Sequence, residues 1–347
     1  MISADIRPDL EPYYTQELDP KNLAPLWEVL PGIAKKSPES SCKPFIWHYE
    51  SLRETLLKSA ELITAEEAER RVLILENPGM RGRFRITTAL FAGLQLIMPG
   101  EVAPAHRHTQ AALRFIVEGS GAYTAVNGER TNMEEGDFVI TPAWTWHDHG
   151  NESKEPMVWM DGLDIPIIET LDATFAEKYN DKYQVPSRPE GDSLARFGSG
   201  MLPVDYYEKG TVSKVFNYPY ARTREALETM RKSEEWDPCN GLKLRFVNPE
   251  TGDSAMPTIG TNMQLLPKGF ETSSYRSSDA CVFSIVEGSG ETHLGNQVYK
   301  WSKRDTFVVP SWLPVKHVAN EDAVLFSFSD KPVQLMVGVW REDRGNL

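Results

Sequence analysis

Four of the seven histidines in this chain lie between residues 99 and 151, and no other part of the sequence is so suited to chemistry. They form two His-x-His pairs, His106 with His108 and His147 with His149. Each pair lies in a segment typical of a β-strand, where residues i and i+2 point to the same face. Imidazole nitrogens are common ligands of transition metals. The spacing therefore predicts a metal site where two such strands meet.

Short segments of β-type sequence surround the two pairs. Turn signals separate these segments, at residues 77–79, 99–101, 118–121, 127–129 and 134–137. Short strands at this spacing are typical of a sandwich or barrel. After residue 170 the sequence becomes polar and rich in proline and glycine, which indicates a connection on the surface. A helix is predicted over 221–232, and a second β-rich region begins at Leu242.

The second β-rich region repeats the first. Four segments recur in the same order: ENPG (76–79) as VNPE (247–250), LQLIMPG (94–100) as MQLLPKG (263–269), FIVEGSG (115–121) as SIVEGSG (284–290), and GDFVITPAW (136–144) as RDTFVVPSW (304–312). Ordered matches of this kind predict a duplicated β-barrel. We therefore divide the chain into an N-terminal arm and helix (1–71), a first barrel with the metal site (72–170), a connection with a helix (171–241) and a second barrel (242–347).

The second copy lacks the predicted ligands. Tyr275 and Ser277 stand at the places of the first histidine pair, and Val315 replaces the first histidine of the second pair. Only His317 matches a histidine of the first copy. We therefore predict no metal in the second barrel and a structural role for it, with a part in assembly.

Composition and charge restrict the partners. The net charge of −13 disfavours nucleic acid and anionic membrane surfaces. No apolar run reaches the ~18 residues of a membrane span, and the N-terminus is too polar for a signal peptide. The three scattered cysteines have no C-x-x-C spacing and indicate free thiols in a reducing compartment. The expected location is the cytoplasm.

The spacing around the histidines resembles the two motifs of the cupin family. The anchor positions are Gly100, the first His-x-His pair and Gly119, then Gly136, Pro142, His147 and Asn151. Trp144 stands where the second motif usually has glycine, and Ala112 replaces the glutamate that usually follows the first pair. The resemblance thus implies a site of three histidines, His106, His108 and His147.

The duplication, the missing glutamate and the segment HRHTQAALRFIVEG together resemble the gentisate 1,2-dioxygenase family, over essentially the whole chain. This resemblance implies an all-β fold, a duplicated cupin (bicupin) of two double-stranded β-helix (jelly-roll) barrels, with a partly helical N-terminal arm and a helical segment between the barrels. It also implies one Fe(II) per subunit in the N-terminal cupin, oxidation of gentisate (2,5-dihydroxybenzoate) by O2 to maleylpyruvate, and a homotetramer.

The three-histidine site agrees with that chemistry. Three ligands leave up to three open positions on an octahedral metal, and a 2-hydroxybenzoate dianion could fill two of them and leave one for O2. Thiolates are absent, which disfavours structural zinc, but three histidines also describe catalytic zinc. The choice of iron comes from the family alone.

Arg114 and His149 are the predicted substrate contacts closest to the ligands in sequence. Arg114 has the parity of His106 and His108, so an unbroken strand aims it into the barrel, where a substrate carboxylate could pair with it. In the family an arginine here binds that carboxylate. The alternative is a bulge over 109–112 that leaves Arg114 in a surface ion pair. His149 is predicted to form a hydrogen bond to an oxygen of the substrate or an oxygen derived from O2. The alternative is a buried histidine with a structural role, because His317 stands at the same place in the copy without metal ligands.

Three further residues match family positions at the pocket. Gln95 is predicted to contact the substrate and Asp161 to support the site; otherwise they are a barrel polar residue and a turn residue. Arg70 resembles a second substrate-binding arginine, although a solvated helix end is the simpler expectation. Within the family, salicylate and 1-hydroxy-2-naphthoate are the competing substrates. Outside it, the alternative is a non-catalytic cupin binding protein.

Overall fold

The computed structural model describes residues 9–233 and 235–345, and the chain forms two compact units, residues 1–39 and 40–347. In the first unit, α1 (Glu11–Tyr13) continues into a π-helical turn (Tyr14–Leu18) and a 3-10 turn (Asp19–Lys21), and α2 (Leu26–Ile33) follows. The Tyr14 hydroxyl donates to Glu28 at 2.7 Å and accepts from Trp27 Nε1 at 2.9 Å. These hydrogen bonds tie α2, which has no buried side chain, to the preceding turns.

The second unit is rich in β-strands. Its first ten strands are β1 (Phe45–Trp47), β2 (Val72–Ile74), β3 (Phe91–Ile97), β4 (Val102–His108), β5 (Ala112–Glu118), β6 (Ala122–Val126), β7 (Glu129–Met133), β8 (Phe138–Thr141), β9 (His147–Asn151) and β10 (Met157–Leu163). The others are β11 (Ala176–Lys178), β12 (Asn217–Tyr218), β13 (Leu242–Arg245), β14 (Gly260–Leu266), β15 (Arg276–Ser277), β16 (Cys281–Glu287), β17 (Ser289–Leu294), β18 (Gln297–Ser302), β19 (Thr306–Val309), β20 (Val315–Ala319), β21 (Ala323–Ser329) and β22 (Glu342–Asp343).

The helices of this unit lie before, between and after the two β-rich halves. They are α3 (Tyr49–Leu62), α4 (Ala65–Ala68), α5 (Ile165–Thr170), α6 (Asp192–Phe197), α7 (Tyr220–Arg231) and α8 (Lys331–Met336), with a 3-10 turn at Pro78–Met80. The predicted helix over 221–232 is α7, one residue earlier at each end. Among residues 9–233 and 235–345, no helix has the length and hydrophobicity to cross a bilayer.

The large sheets of the two halves have the same strand order. In the N-terminal half one sheet runs β12-β8-β5-β10-β3-β2, and a second sheet, β11-β4-β9-β6-β7, faces it. In the C-terminal half the large sheet runs β1-β19-β16-β21-β14-β13, strand for strand the same arrangement, and β18-β17-β20 forms its partner. The repeat in the sequence is therefore a repeat in the structure.

Each large sheet takes its outermost strand from outside its own half. β1 precedes the first barrel in sequence but pairs with β19 of the second, with Ile46 opposite Phe307. β12, from the connection, pairs with β8 of the first barrel, and β11 pairs with β4. The segments before and between the barrels thus belong to the sheets, and the division at residues 71, 170 and 241 stays a prediction.

One hydrophobic core joins the two large sheets. The rings of Phe115 on β5 and Phe326 on β21 stack with centroids 4.3 Å apart and planes 5° from parallel. Phe138 and Phe246 pack around them, and all four side chains are buried. Because β5 and β21 are buried on both faces, their sequences are nearly continuous hydrophobic runs.

Phe326→Ala should lower the free energy of unfolding by about 3–5 kcal/mol, because it opens a cavity in this shared core. Phe84→Ala is the matched control, since Phe84 is 63% exposed. Denaturant unfolding followed by circular dichroism measures both. A loss of less than about 1 kcal/mol for Phe326→Ala would show that the two sheets do not depend on this stack.

Candidate metal centre

Three histidines converge on the interior side of the smaller N-terminal sheet. His106 and His108 lie on β4, and His147 lies directly opposite His106 on β9. Their candidate ligand nitrogens are all within 4.8 Å of one another. The period of the strand explains the pair on β4, because Arg107 between the two histidines points to the other side. The structure thus brings together the three residues that the sequence predicts as ligands.

A turn with unusual backbone geometry leads into β9. Trp144 has a positive φ of 60°, a conformation in which a glycine is less strained, and its N–H donates to the His108 carbonyl at 2.7 Å. The second half repeats this feature at Trp312, with φ 63° and a bond of the same length to Ser277. The turn therefore fixes β9 relative to β4, and with it His147 relative to the other two ligands.

Backbone carbonyls orient the three rings. Each Nδ1 lies within hydrogen-bond distance of a carbonyl two residues away along the chain, namely His106 of Pro104 (3.3 Å), His108 of Gln110 (2.8 Å) and His147 of Thr145 (2.9 Å). At His108 and His147, an Nδ1–H that donates to the carbonyl leaves the Nε2 lone pair free for a metal. At His106 the guanidinium of Arg70, which can only donate, also lies against Nδ1. The Nε2 of His147 is buried and has no hydrogen-bond partner, as expected of a nitrogen that ligates an ion.

Burial keeps these imidazoles neutral. It lowers the pKa of His106 to about 3 and that of His108 to about 4, and it lowers the pKa of His147 well below its ordinary value. The nearby guanidinium of Arg114 acts in the same direction on all three. Protons therefore compete little with a metal at neutral pH.

Arg114 points into the barrel from the opposite sheet. It is 4% exposed, its Nε lies 3.4 Å from Asp161 Oδ1, and it donates to the hydroxyl of Thr141. Asp161 on β10 is directly opposite Arg114 in register, which is why the two side chains meet. The alternative of a surface ion pair for Arg114 is wrong, because the chain leaves β4 after His108 and Arg114, on β5 of the opposite sheet, is buried.

The ion pair between Arg114 and Asp161 influences the pKa of both groups. Burial raises the pKa of Asp161 to about 6, although Arg114 and a hydrogen bond from Trp159 Nε1 at 3.1 Å work against that rise. Burial lowers the pKa of Arg114, and Asp161 opposes this. Arg114 Nε makes no hydrogen bond, so the guanidinium has donor capacity left for an anionic ligand. The expectation that Asp161 is a turn residue is wrong, since it lies within β10.

Trp159 is a pocket residue that the sequence reasoning missed. It is fully buried, it lies opposite Gln95 of β3 in register, and its ring centroid is 5.5 Å from that of His149. The sequence could have predicted this position of Trp159, because Trp159 and Asp161 are i and i+2 on one strand and therefore point to the same face. Gln95, 3% exposed, is thereby placed on the interior face beside Trp159.

His149 lies beside the three ligands but apart from their cluster. Its Nδ1 is 2.8 Å from the hydroxyl of Thr124, and its Nε2 is buried without a hydrogen-bond partner. The ring centroids of His149 and His147 are 5.8 Å apart. An unpartnered Nε2 at this position can bond to a ligand bound at the metal.

Arg70 is not at a solvated helix end. Helix α3 begins at Tyr49 and ends at Leu62, and Thr64 starts the separate short α4 with a capping box. The chain leaves α4 through Glu69, whose φ is +52°. This turn directs Arg70 to His106, which it contacts, and to the Pro104 carbonyl, to which it donates at 2.5 Å. Burial lowers the pKa of Arg70 to about 10.

Residues 93–165 match the cupin domain family. The protein named gentisate 1,2 dioxygenase 1 from Aquipseudomonas alcaligenes is 59% identical over 331 residues, which cover 95% of this chain and 95% of that protein. A Streptomyces protein named gentisate 1,2-dioxygenase is 36% identical, over 95% of this chain and 94% of its own. This chain belongs to the gentisate 1,2-dioxygenase family.

A solved structure agrees with the assignment to this family of ring-cleaving dioxygenases. The crystal structure of salicylate 1,2-dioxygenase from Pseudoaminobacter salicylatoxidans, described as an adduct with gentisate, has a TM-score of 0.93 to this chain at 32% identity, and covers 100% of this chain and 96% of that one. The predicted all-β duplicated cupin is therefore confirmed. The three-histidine group and the family together indicate a metal in the N-terminal half.

The side chains of Trp144 and Trp146, which precede His147, pack against the outer side of β4. Arg107, on the outer side of β4, lies 4.5 Å from the ring centroids of both Trp144 and Trp146. Its guanidinium also pairs with Glu177 of β11 at 2.5 Å. In this family member the outer face of β4 is thus covered by a cation–π cluster, which holds the ligand strand from behind.

Proposed function

We propose that the chain is an Fe(II)-dependent ring-cleaving dioxygenase that oxidises gentisate with O2 to maleylpyruvate. The observation that carries this is the convergence of three neutral histidines, His106, His108 and His147, beside the buried guanidinium of Arg114. The 59% identity to a protein named gentisate 1,2 dioxygenase supports the substrate. Neutral nitrogen ligands without a thiolate suit Fe(II), which we propose at one per subunit.

We propose the following roles for the residues around the metal site. Arg114 binds the substrate carboxylate and Asp161 positions Arg114, while Arg70 adds a second guanidinium beside His106. Gln95 and His149 hydrogen-bond the ring hydroxyls or the oxygen that reacts with the ring. Fe(II), when bound, would supply the one-electron chemistry that allows O2 to react with an aromatic ring.

Salicylate and 1-hydroxy-2-naphthoate are the competing substrates. The structural likeness to salicylate 1,2-dioxygenase, with a TM-score of 0.93, favours testing salicylate first. All three acids carry a hydroxyl beside the carboxylate, so the Arg114 contact and the chelation are common to them. The discrimination then depends on how the pocket walls receive the rest of the ring.

The test is O2 uptake by the chain after anaerobic loading with Fe(II). We expect uptake of one O2 per gentisate with a product that absorbs in the near ultraviolet, and slower turnover of salicylate and 1-hydroxy-2-naphthoate. The same chain loaded with Zn(II) is the control and should consume no O2. If none of the three acids causes O2 uptake, the chain is a non-catalytic cupin binding protein and the proposal fails.

We also propose a homotetramer in the cytoplasm. Exposed apolar side chains on α2 support association, because Leu26, Trp27 and Ile33 are 57%, 59% and 67% exposed. Sedimentation velocity would show the assembly, and a monomer at all concentrations would contradict it. The absence of disulfide bonds among the three free cysteines agrees with a reducing compartment.

A further inference from the structure

The C-terminal barrel contains a cavity of about 470 Å³ at the place that corresponds to the metal centre of the other half. This volume is within the range of roughly 300–1,000 Å³ typical of small-molecule sites. The repeat explains the location, since Gln264 on β14 corresponds to Gln95, and His317 on β20 corresponds to His149. Both residues line the cavity. This half thus has no counterpart of the three histidines but has a partly open cavity with polar and apolar walls.

The second half has an apolar and an uncharged polar residue, rather than an ion pair, at the positions that correspond to Arg114 and Asp161. Phe283 and Ser327 face each other in register, as Arg114 and Asp161 do in the first half. A cation enters instead from the neighbouring strand, because Lys243 on β13 lies opposite Gln264. Lys243 lines the cavity, and its closest polar contact is the Asn240 side-chain oxygen at 3.4 Å. Among residues 9–233 and 235–345 it forms no ion pair.

The charged side chains that line the cavity, apart from two paired arginines, have an excess of one positive charge. Two of the five cationic side chains in the lining, both arginines, are already paired with carboxylates at 2.6 and 2.5 Å. The other three are Lys243, Arg245 and Lys331, and the lining contains two carboxylates, Asp279 and Glu342. A bound monoanion would balance the remaining positive charge.

Two further groups have hydrogen-bonding capacity left at the cavity. Gln264 is 1% exposed, its Nε2 donates to the Asn240 carbonyl at 2.7 Å, and its Oε1 is buried with no partner. The Thr292 hydroxyl accepts from Trp301 Nε1 at 2.8 Å and lies 2.8 Å from His317 Nδ1. If its single hydrogen is donated to that Nδ1, the imidazole proton is on Nε2, available to an anion.

We propose that this cavity binds a small aromatic monocarboxylate with a ring hydroxyl. Lys243 and His317 would bind the carboxylate, the unpartnered Gln264 Oε1 would accept from the hydroxyl, and the ring of Phe283 would form the apolar wall. The ligand belongs to the same chemical class as the proposed substrate. It would bind here without turnover, because the only group of three candidate metal ligands among residues 9–233 and 235–345 lies in the other half. The inference does not rest on catalysis, because binding is measured without O2.

The test is isothermal titration of the Fe(II)-loaded chain under argon with gentisate, which has a hydroxyl beside its carboxylate for chelation at the iron and a second ring hydroxyl for Gln264. We expect two molecules per chain, and only one after Lys243→Met. This variant should weaken the second site at least about tenfold, the effect of losing one hydrogen bond to a charged group. Lys300→Met, a change at an exposed lysine on β18, is the matched control and should still bind two. Two molecules per chain with Lys243→Met, or one with the unaltered chain, would overturn the proposal.

A second measurement does not depend on the folding of the Lys243 variant. Benzoate lacks the hydroxyl and leaves Gln264 Oε1 without a donor, so it should bind the second site about tenfold more weakly than 3-hydroxybenzoate. Gln264→Met, with a side chain of similar size, should remove this difference. Equal affinities for the two acids at the second site of the unaltered chain would contradict the assigned contacts.

Discussion

The His147→Ala variant is expected to retain no Fe(II) after dialysis and to lose more than about 100-fold in kcat/KM for gentisate. The loss should exceed the 10–100-fold effect of removing an outer partner of a metal ligand. The physical reason is that His147 supplies one of three converging nitrogens, and the two histidines left on β4 form too few bonds to hold the ion. Metal analysis of the dialysed protein and O2 uptake are the two measurements.

His149→Ala is the matched control for this variant. His149 lies on the same strand, two residues further on, and is as deeply buried as His147. We expect it to keep one Fe(II) per chain and to lose about 10–100-fold in kcat/KM, as for one hydrogen bond to a charged group. Loss of iron from His149→Ala, or its retention by His147→Ala, would show that the ligands are assigned wrongly.

Arg114→Met should have the second largest effect. It removes the guanidinium that we propose for the substrate carboxylate, and a buried charge pair of this kind contributes about 2–5 kcal/mol, or roughly 30- to 5,000-fold in kcat/KM. It also leaves Asp161 buried without its cation, which should lower the free energy of unfolding by about 3–5 kcal/mol. Steady-state kinetics and denaturant unfolding measure the two effects separately.

A double variant separates binding from stability. Arg114→Met with Asp161→Asn removes both charges, so most of the lost stability should return while kcat/KM stays low. If activity returned as well, Arg114 would be a structural residue and the proposed carboxylate contact would be wrong. The iron content should remain at one per chain in both variants, because neither residue is a predicted ligand.

The loss of stability caused by Arg114→Met should increase as the pH rises. Burial already raises the pKa of Asp161 to about 6 in the folded chain, and the loss of Arg114 removes the charge that opposes this rise. A carboxyl group with a raised folded pKa contributes stability at low pH that is lost as the pH rises through that pKa. The deficit of Arg114→Met relative to the unaltered chain should therefore be larger at pH 8 than at pH 5. An equal deficit at both would mean that Asp161 is not the group left unpaired.

Local patterns in the sequence were sufficient to predict much of the fold. The i, i+2 spacing placed His106 and His108 on one face, because the alternation of a strand depends only on neighbours in the chain. Arg114 is in the interior as predicted, but the unbroken strand assumed for it is wrong, because β4 ends at His108 and Arg114 lies on β5 of the opposite sheet. The four repeated segments predicted the duplication, which the matching strand orders show. The expectation of a helix end at Arg70 was wrong, because α3 ends at Leu62 and Thr64 caps a separate short helix, Ala65–Ala68.

The sequence by itself determined which residue types could bind a metal, how they are spaced, and that only the first of the two copies has them. Only the tertiary structure decided that Arg70 reaches His106, that Trp159 stands beside His149, and that β1 completes the sheet of the distant barrel. It also decided that the half without ligands keeps a polar cavity at Lys243 and Gln264. Spacing along a strand is a local property of the backbone, whereas these contacts join residues far apart in the chain and depend on how whole sheets pack.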